Sequence, residues 1–280
     1  MAISNELIGA RLPGTTFSWE RDDTILYALG VGARPPRELD LLYETRGPVV
    51  LPTFALIANW WAMKDTRAAV DPGDAPMVHA SQSLELLRPL EPEGTVRVDA
   101  EVVAIWDKGK SSIVEIEGVG TDDTGPLFRT RSSTMILGVG GWGGERGPSS
   151  SADRSTDEPD TVFEDEVRPE QAAIYRLSGD RNPLHIDPEA ATRAGFPDVF
   201  LHGLCTLGFA ARAVIASNTP ADPRALKSIS CRFSKPVMLG RPLTTRIWRG
   251  ADGGVTFETT QDETIALSAG TAAFFDPAEI

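Results

Sequence analysis

The sequence predicts an α+β fold of two similar units, each an antiparallel sheet wrapping one central helix. Three observations predict it. β-rich runs follow one another with turns of only a few residues between them, which implies antiparallel pairing. Residues 204–216 are apolar almost all round, as a helix enclosed by a curved sheet must be. The same landmarks also recur, in the same order, on either side of a Gly- and Ser-rich stretch.

In the first half, residues 22–30 carry apolar side chains at three-to-four spacing and end in Gly30, the pattern of a short helix. An apolar helix is expected over residues 50–56, and then a strand carrying Arg88-Pro89-Leu90. Residues 95–106, 111–120 and 127–137 are β-rich and are broken by Gly, Asp and Pro. From Gly138 the composition turns to Gly and Ser, then to charge, so residues 139–160 are expected to form a surface linker. The second half repeats the order: a short helix over 169–179, an apolar helix beginning over 200–206, and a strand carrying Lys235-Pro236-Val237. Its strands are expected over 228–235, 242–248, 255–260 and 265–275. The expected organisation is therefore residues 1–138, a linker at 139–160, and residues 161–280.

Composition excludes several function classes. A formal net charge of −13 over 280 residues speaks against a nucleic-acid partner, which needs basic stripes. It does not exclude a small anionic ligand, because salt screens charge beyond about 8–10 Å. No run approaches the ~18 apolar residues of a membrane span. The N-terminal residues lack the regions of a signal peptide, and Cys205 and Cys231 both lie in apolar surroundings, so a reducing cytoplasmic location is expected. Three histidines without a Cys/His cluster at ligand spacing predict no metal site, and no cofactor motif is present.

Chemistry is concentrated in Tyr175-Arg176-Leu177-Ser178-Gly179-Asp180-Arg181-Asn182-Pro183-Leu184-His185-Ile186-Asp187-Pro188. Gly179 ends one helix, and Pro183 biases Asn182 toward extended backbone. Asp187 and Pro188 form an N-cap and N1 pair for a helix that Gly195 closes. Singly, Asp180 reads as a turn residue, His185 as a core histidine and Asn182 as turn chemistry. Together they place a carboxylate and an imidazole on one loop held at both ends.

This stretch resembles the signature of the enoyl-CoA hydratase 2, or MaoC-like dehydratase, family of the hotdog fold. That signature has an aromatic residue, Ser-Gly-Asp, any residue, Asn-Pro, an aliphatic residue and His, and Tyr175 and residues 178–185 match it. Ala190 or Ala191 stands where a small residue is expected, and Leu201-His202-Gly203-Leu204 resembles the family's His-Gly at the start of the hotdog helix. The first half resembles the family's degenerate, acyl-binding hotdog: Gly32 aligns with Asp180, no histidine follows, and residues 79–90 fit its strand ending in Arg-Pro-Leu.

The resemblance implies a double hotdog with one active site, acting on an acyl-CoA thioester. It implies reversible hydration of trans-2-enoyl thioesters to (R)-3-hydroxyacyl thioesters by Asp180 and His185, with Asn182 helping to hold the water. The backbone N–H of Gly203, at a helix N-terminus, is implied as the oxyanion donor. His202 is expected to position the turn. Arg176, Arg181 and Lys235 are candidates for CoA phosphates, and Phe54, Trp60, Trp61 and Met63 for the tunnel wall. The alternatives left open are a hotdog thioesterase and a non-catalytic acyl-binding subunit. Pairing of the two halves already supplies a dimer-like unit, so a homodimer is allowed but not required.

Overall fold

The computed structural model describes residues 3–63, 66–148, 157–218, 221–251, 253–276 and 278, without the side chains of residues 61–63. Trp61 and Met63, expected in the tunnel wall, therefore lie outside the described side chains. The first half runs β1 (Thr15–Trp19), α1 (Arg21–Gly30), α2 (Leu39–Leu42), α3 (Ala55–Met63), α4 (Thr66–Val70), β2 (Met77–Leu86), β3 (Gly94–Asp107), β4 (Ser111–Asp122) and β5 (Gly125–Leu137). The second half runs β6 (Thr161–Glu166), α5 (Gln171–Tyr175), α6 (Pro188–Arg193), β7 (Phe200–Leu201), α7 (Gly203–Ser217), β8 (Leu226–Phe233), β9 (Val237–Met238), β10 (Pro242–Arg249), β11 (Val255–Gln261) and β12 (Thr264–Phe274).

The two expected sheets are hydrogen-bonded to each other. Among the described residues ten strands form one antiparallel sheet in the order β1-β3-β4-β5-β2-β8-β12-β11-β10-β6. Read outward from the β2–β8 seam, both halves follow the same plan, so the duplication seen in the sequence recurs in the topology. The seam pairs Ser81 with Arg232 through Glu85 with Ser228.

Each half encloses its own helix, α3 or α7. In α7 every residue from Leu204 to Ile215 is buried, which explains the absence of a polar stripe in its sequence. The main core is shared between the halves and includes Tyr27, Phe54, Tyr175 and Leu207. α1 docks on α5: the side chain of Gln171 donates to the carbonyls of Leu29 (2.8 Å) and Gly30 (2.5 Å), capping α1 from the other half. A Cβ at Gly30 would lie 3.2 Å from the Tyr175 Cα, so glycine permits this close approach.

Two element starts differ from expectation. The segment at 50–56 is not helical from its first residue; Pro52 opens a 3₁₀ turn, Pro52–Phe54, and α3 begins at Ala55. Phe200 and Leu201 form a strand paired with Met238 and Val237, and α7 begins only at Gly203. The Arg88-Pro89-Leu90 run falls just beyond β2, since proline offers no N–H to the ladder.

The glycine-rich run is ordered where it is described. The buried Asp107 carboxylate accepts from the N–H groups of Gly109 (2.8 Å), Gly141 (2.8 Å) and Gly143 (2.9 Å), while the Trp142 indole donates to Ser112 Oγ (3.0 Å). These donors, led by Gly141, hold the Asp107 carboxyl below its ordinary value. A carboxylate with a lowered folded pKa contributes stability above its unfolded pKa, and loses it as pH falls through the folded value. Asp107→Asn should therefore lower Tm at pH 7. The deficit should begin to shrink in melts below about pH 4, where the unfolded chain's carboxylate protonates, and vanish only as pH falls through the lowered folded value.

Candidate active site

The loop between α5 and α6 is built by local hydrogen bonds. Gly179 takes φ +151°, a conformation that suits glycine and turns the chain out of the 3₁₀ turn Arg176–Ser178. The Asp180 carboxylate accepts from the Asn182 N–H (3.1 Å), and Asn182 Oδ1 accepts from the Leu184 N–H (3.1 Å), capping the 3₁₀ turn Pro183–His185. Asp187 then caps α6 through the Glu189 N–H (2.9 Å). Asp180 is half-buried, His185 buried and Asn182 exposed.

His185 is fixed from outside the loop. Its Nδ1–H donates to the Phe200 carbonyl (2.8 Å), which leaves Nε2 with a lone pair. The Phe200 ring meets the imidazole edge-on, with centroids 4.8 Å apart and planes at 76°. The short β7–β9 ladder holds Phe200 in place, so the pairing at Phe200–Met238 sets the tautomer of His185.

A third side chain joins the pair. His202, 1% exposed, donates from Nε2–H to the backbone carbonyl of Asp180 (3.2 Å). Its ring lies 3.8 Å from that of His185, centroid to centroid, at 31°. One nitrogen or oxygen atom from each of Asp180, His185 and His202 lies within 4.8 Å of the others. These are metal-ligand residue types. One nitrogen of each imidazole is already engaged by a backbone carbonyl, His185 Nδ1 by Phe200 and His202 Nε2 by Asp180.

Burial dominates the electrostatics. It pushes the Asp180 carboxyl up, against the Asn182 N–H and the charge of His185. It pushes the His185 imidazole down, against the hydrogen bond to Phe200 and the charge of Asp180. His202 is pushed down to about 3, mainly by burial, and stays neutral.

Gly203 opens α7, whose N-cap is His202 with extended backbone and no side-chain cap. The first-turn N–H groups of such a helix have no partner within the helix and sit at the positive end of its dipole. A Cβ at Gly203 would come 3.1 Å from Phe233 Cδ1, so the ring of Phe233 packs directly against this peptide. Asn182, expected to help hold water, has Oδ1 engaged by Leu184, so its amide N–H₂ is what it offers a water.

A cavity of about 240 Å³ adjoins the loop, walled by Phe17, Leu26 and Phe54 of the first half and by Leu177, Gly179 and Arg181 of the second. Phe54 is a buried core residue that also reaches this cavity, and Trp60 packs against the same core. Lys235 is exposed and Arg176 half-buried. An open cleft of about 1200 Å³ along the outer sheet edge is lined by Glu20, Asp23, Glu93 and Asp99 and has no residue of this loop in its wall.

The double hotdog is the fold of the MaoC-like dehydratases. The chain belongs to the MaoC-like dehydratase family. Residues 151–269 match the MaoC like domain, and residues 17–138 match the MFE-2 hydratase 2 N-terminal domain. The chain is 42% identical to 3-hydroxyacyl-thioester dehydratase Y of Mycobacterium tuberculosis, over 92% of each chain. It is 38% identical to an enoyl-CoA hydratase of the same organism, over 93% of this chain and 95% of the relative. A crystal structure of a MaoC-like dehydratase from Phytophthora capsici superposes with a TM-score of 0.88 at 30% identity, covering 100% of this chain and 99% of the other. Among the described residues no helix is long and apolar enough to cross a membrane.

Proposed function

We propose that the protein hydrates trans-2-enoyl-CoA thioesters reversibly to (R)-3-hydroxyacyl-CoA, with Asp180 and His185 as the acid–base pair. What carries this reading is the convergence of the Asp180 carboxylate and the His185 ring on one small volume, with ligating atoms within 4.8 Å. That spacing suits a single water held between them. Addition delivers hydroxide to C3 and a proton to C2; the pair takes one proton from the water and returns one to the substrate. Burial favours the neutral form of both groups, so an ion pair formed during the proton transfers relaxes back to the neutral pair as the cycle closes. As C3 is attacked, negative charge collects on the thioester oxygen. The Gly203 N–H, backed by the α7 dipole, is the donor we assign to it. Asn182 sets the turn between the two side chains and presents its amide to the water.

We also assign the protein to the cytoplasm, a reading supported by two buried cysteines that are not joined in a disulfide. One chain carries the whole loop and helix terminus, so turnover should not depend on whether chains pair as a homodimer. The test is direct. With crotonyl-CoA, enone absorbance should fall, no free thiol should appear, and chiral chromatography should return the (R)-3-hydroxy product. Thiol release without loss of the enone would replace the proposal with thioester hydrolysis.

A further inference from the structure

We infer that His202 is a positioning residue for this reaction, holding Asp180, His185 and Gly203 in one arrangement. The inference rests on the assignment of the Asp180–His185 pair. His202 touches all three at once. Its Nε2–H is bonded to the Asp180 carbonyl at 3.2 Å, its ring stacks on His185 at 3.8 Å, and its own carbonyl carbon is bonded to the Gly203 nitrogen. On its other side it meets the Tyr175 ring at 4.9 Å. The groups facing it are therefore Asp180, His185 and Tyr175, with the cationic Arg176 close enough to oppose its protonation.

A second observation argues against mere space-filling. His202 Nδ1 is buried and, among the described residues, has no hydrogen-bond partner. An unpartnered nitrogen costs stability that a phenyl ring at the same place would not. A histidine that fills this pocket has to be needed for its other nitrogen, and that nitrogen is committed to the peptide bearing Asp180. Because the acceptor is a carbonyl, Nε2 must carry the proton, and His202 must be neutral for Nδ1 to sit unpaired in this pocket. A displacement of about 1 Å at a reacting group can cost on the order of 100-fold. Such a displacement would begin at the Asp180 peptide, whose carbonyl His202 restrains.

The test compares H202F with H202Q. Phenylalanine keeps a flat ring against His185 and Tyr175 but removes the donor; glutamine keeps an N–H near the Nε2 position but removes the ring. H202F should lose roughly 10- to 100-fold in kcat with KM within about threefold and Tm at or above the parental value. H202Q should recover a substantial part of that loss. An H202F enzyme with near-parental kcat overturns the inference, as does one whose kcat loss is shared by H202Q at parental Tm. Should H202F fail to fold, H202Q decides alone: kcat within about tenfold of the parent supports positioning through the N–H, and a larger loss refutes it. Failure here is separable from failure of the acid–base assignment, which would show as activity surviving in D180N and H185Q.

Discussion

Asp180→Asn and His185→Gln should each fold and lose about 10²- to 10⁴-fold in kcat for hydration of crotonyl-CoA. D180N removes no core contact, and H185Q gives up the ring contacts to Phe200 and His202. In D180N the new amide would keep an oxygen for the Asn182 N–H, whereas in H185Q the new amide stands near the Nε2 position and the Nδ1 donor to the Phe200 carbonyl is lost. What each change removes is a titratable proton site, so the loss belongs in kcat and in kcat/KM together, with binding of unreactive thioester analogues left intact. Because the two groups act on the same water, the double variant should be little worse than either single one. Asp40→Asn supplies the control. Asp40 is exposed in the first half, with its carboxylate 4.0 Å from Arg46, and neutralising it should leave kcat within about twofold. Near-parental turnover in both D180N and H185Q would end the assignment; strong loss in D40N would mean the site lies in the other half.

The strands and the buried helix α7 were legible because their patterns are set by local burial: period two along β3 and β4, and no polar face along α7. The loop was legible because Gly179, Asn182, Pro183, Asp187 and Pro188 each act on their own backbone. What was not legible depends on partners remote in sequence. Nothing in residues 200–201 says strand; Val237 and Met238 make it one. Nothing in the glycines after Leu137 says order; the Asp107 carboxylate provides it. The fusion of two sheets into one is likewise a non-local pairing of β2 with β8. His202 looked like a turn residue because its partner is a main-chain carbonyl, and carbonyls carry no letter in a sequence.

The position that aligns with Asp180 in the first half carries no carboxylate, and its packing leads to a large stability effect. Gly32 aligns with Asp180, but a Cβ there would lie 2.3 Å from Phe209 Cε1 and 3.0 Å from Arg212 Nη1, both on α7. The second half has filled the space that a second reacting group would need. Arg212 holds the plug in place: its side chain is 3% exposed, and it is bidentate to Glu38 (2.8 and 2.7 Å) and bonded to Asp165 (2.6 Å) and the Val31 carbonyl (3.0 Å). Arg34 adds a 2.5 Å bond to Asp165. Removing one partner of a buried ion pair leaves charge without compensation, and such losses run to about 3–5 kcal/mol. Arg212→Met should lower unfolding stability in urea by that amount. Neutralising the stranded acid should reverse much of it, so R212M/E38Q should be more stable than R212M, because the cost lies in the Glu38 carboxylate left behind, while Asp165 keeps its bond to Arg34. If R212M instead unfolds at the parental urea midpoint, the cluster contributes nothing to stability, and packing of Phe209 against Gly32 alone must keep this space closed.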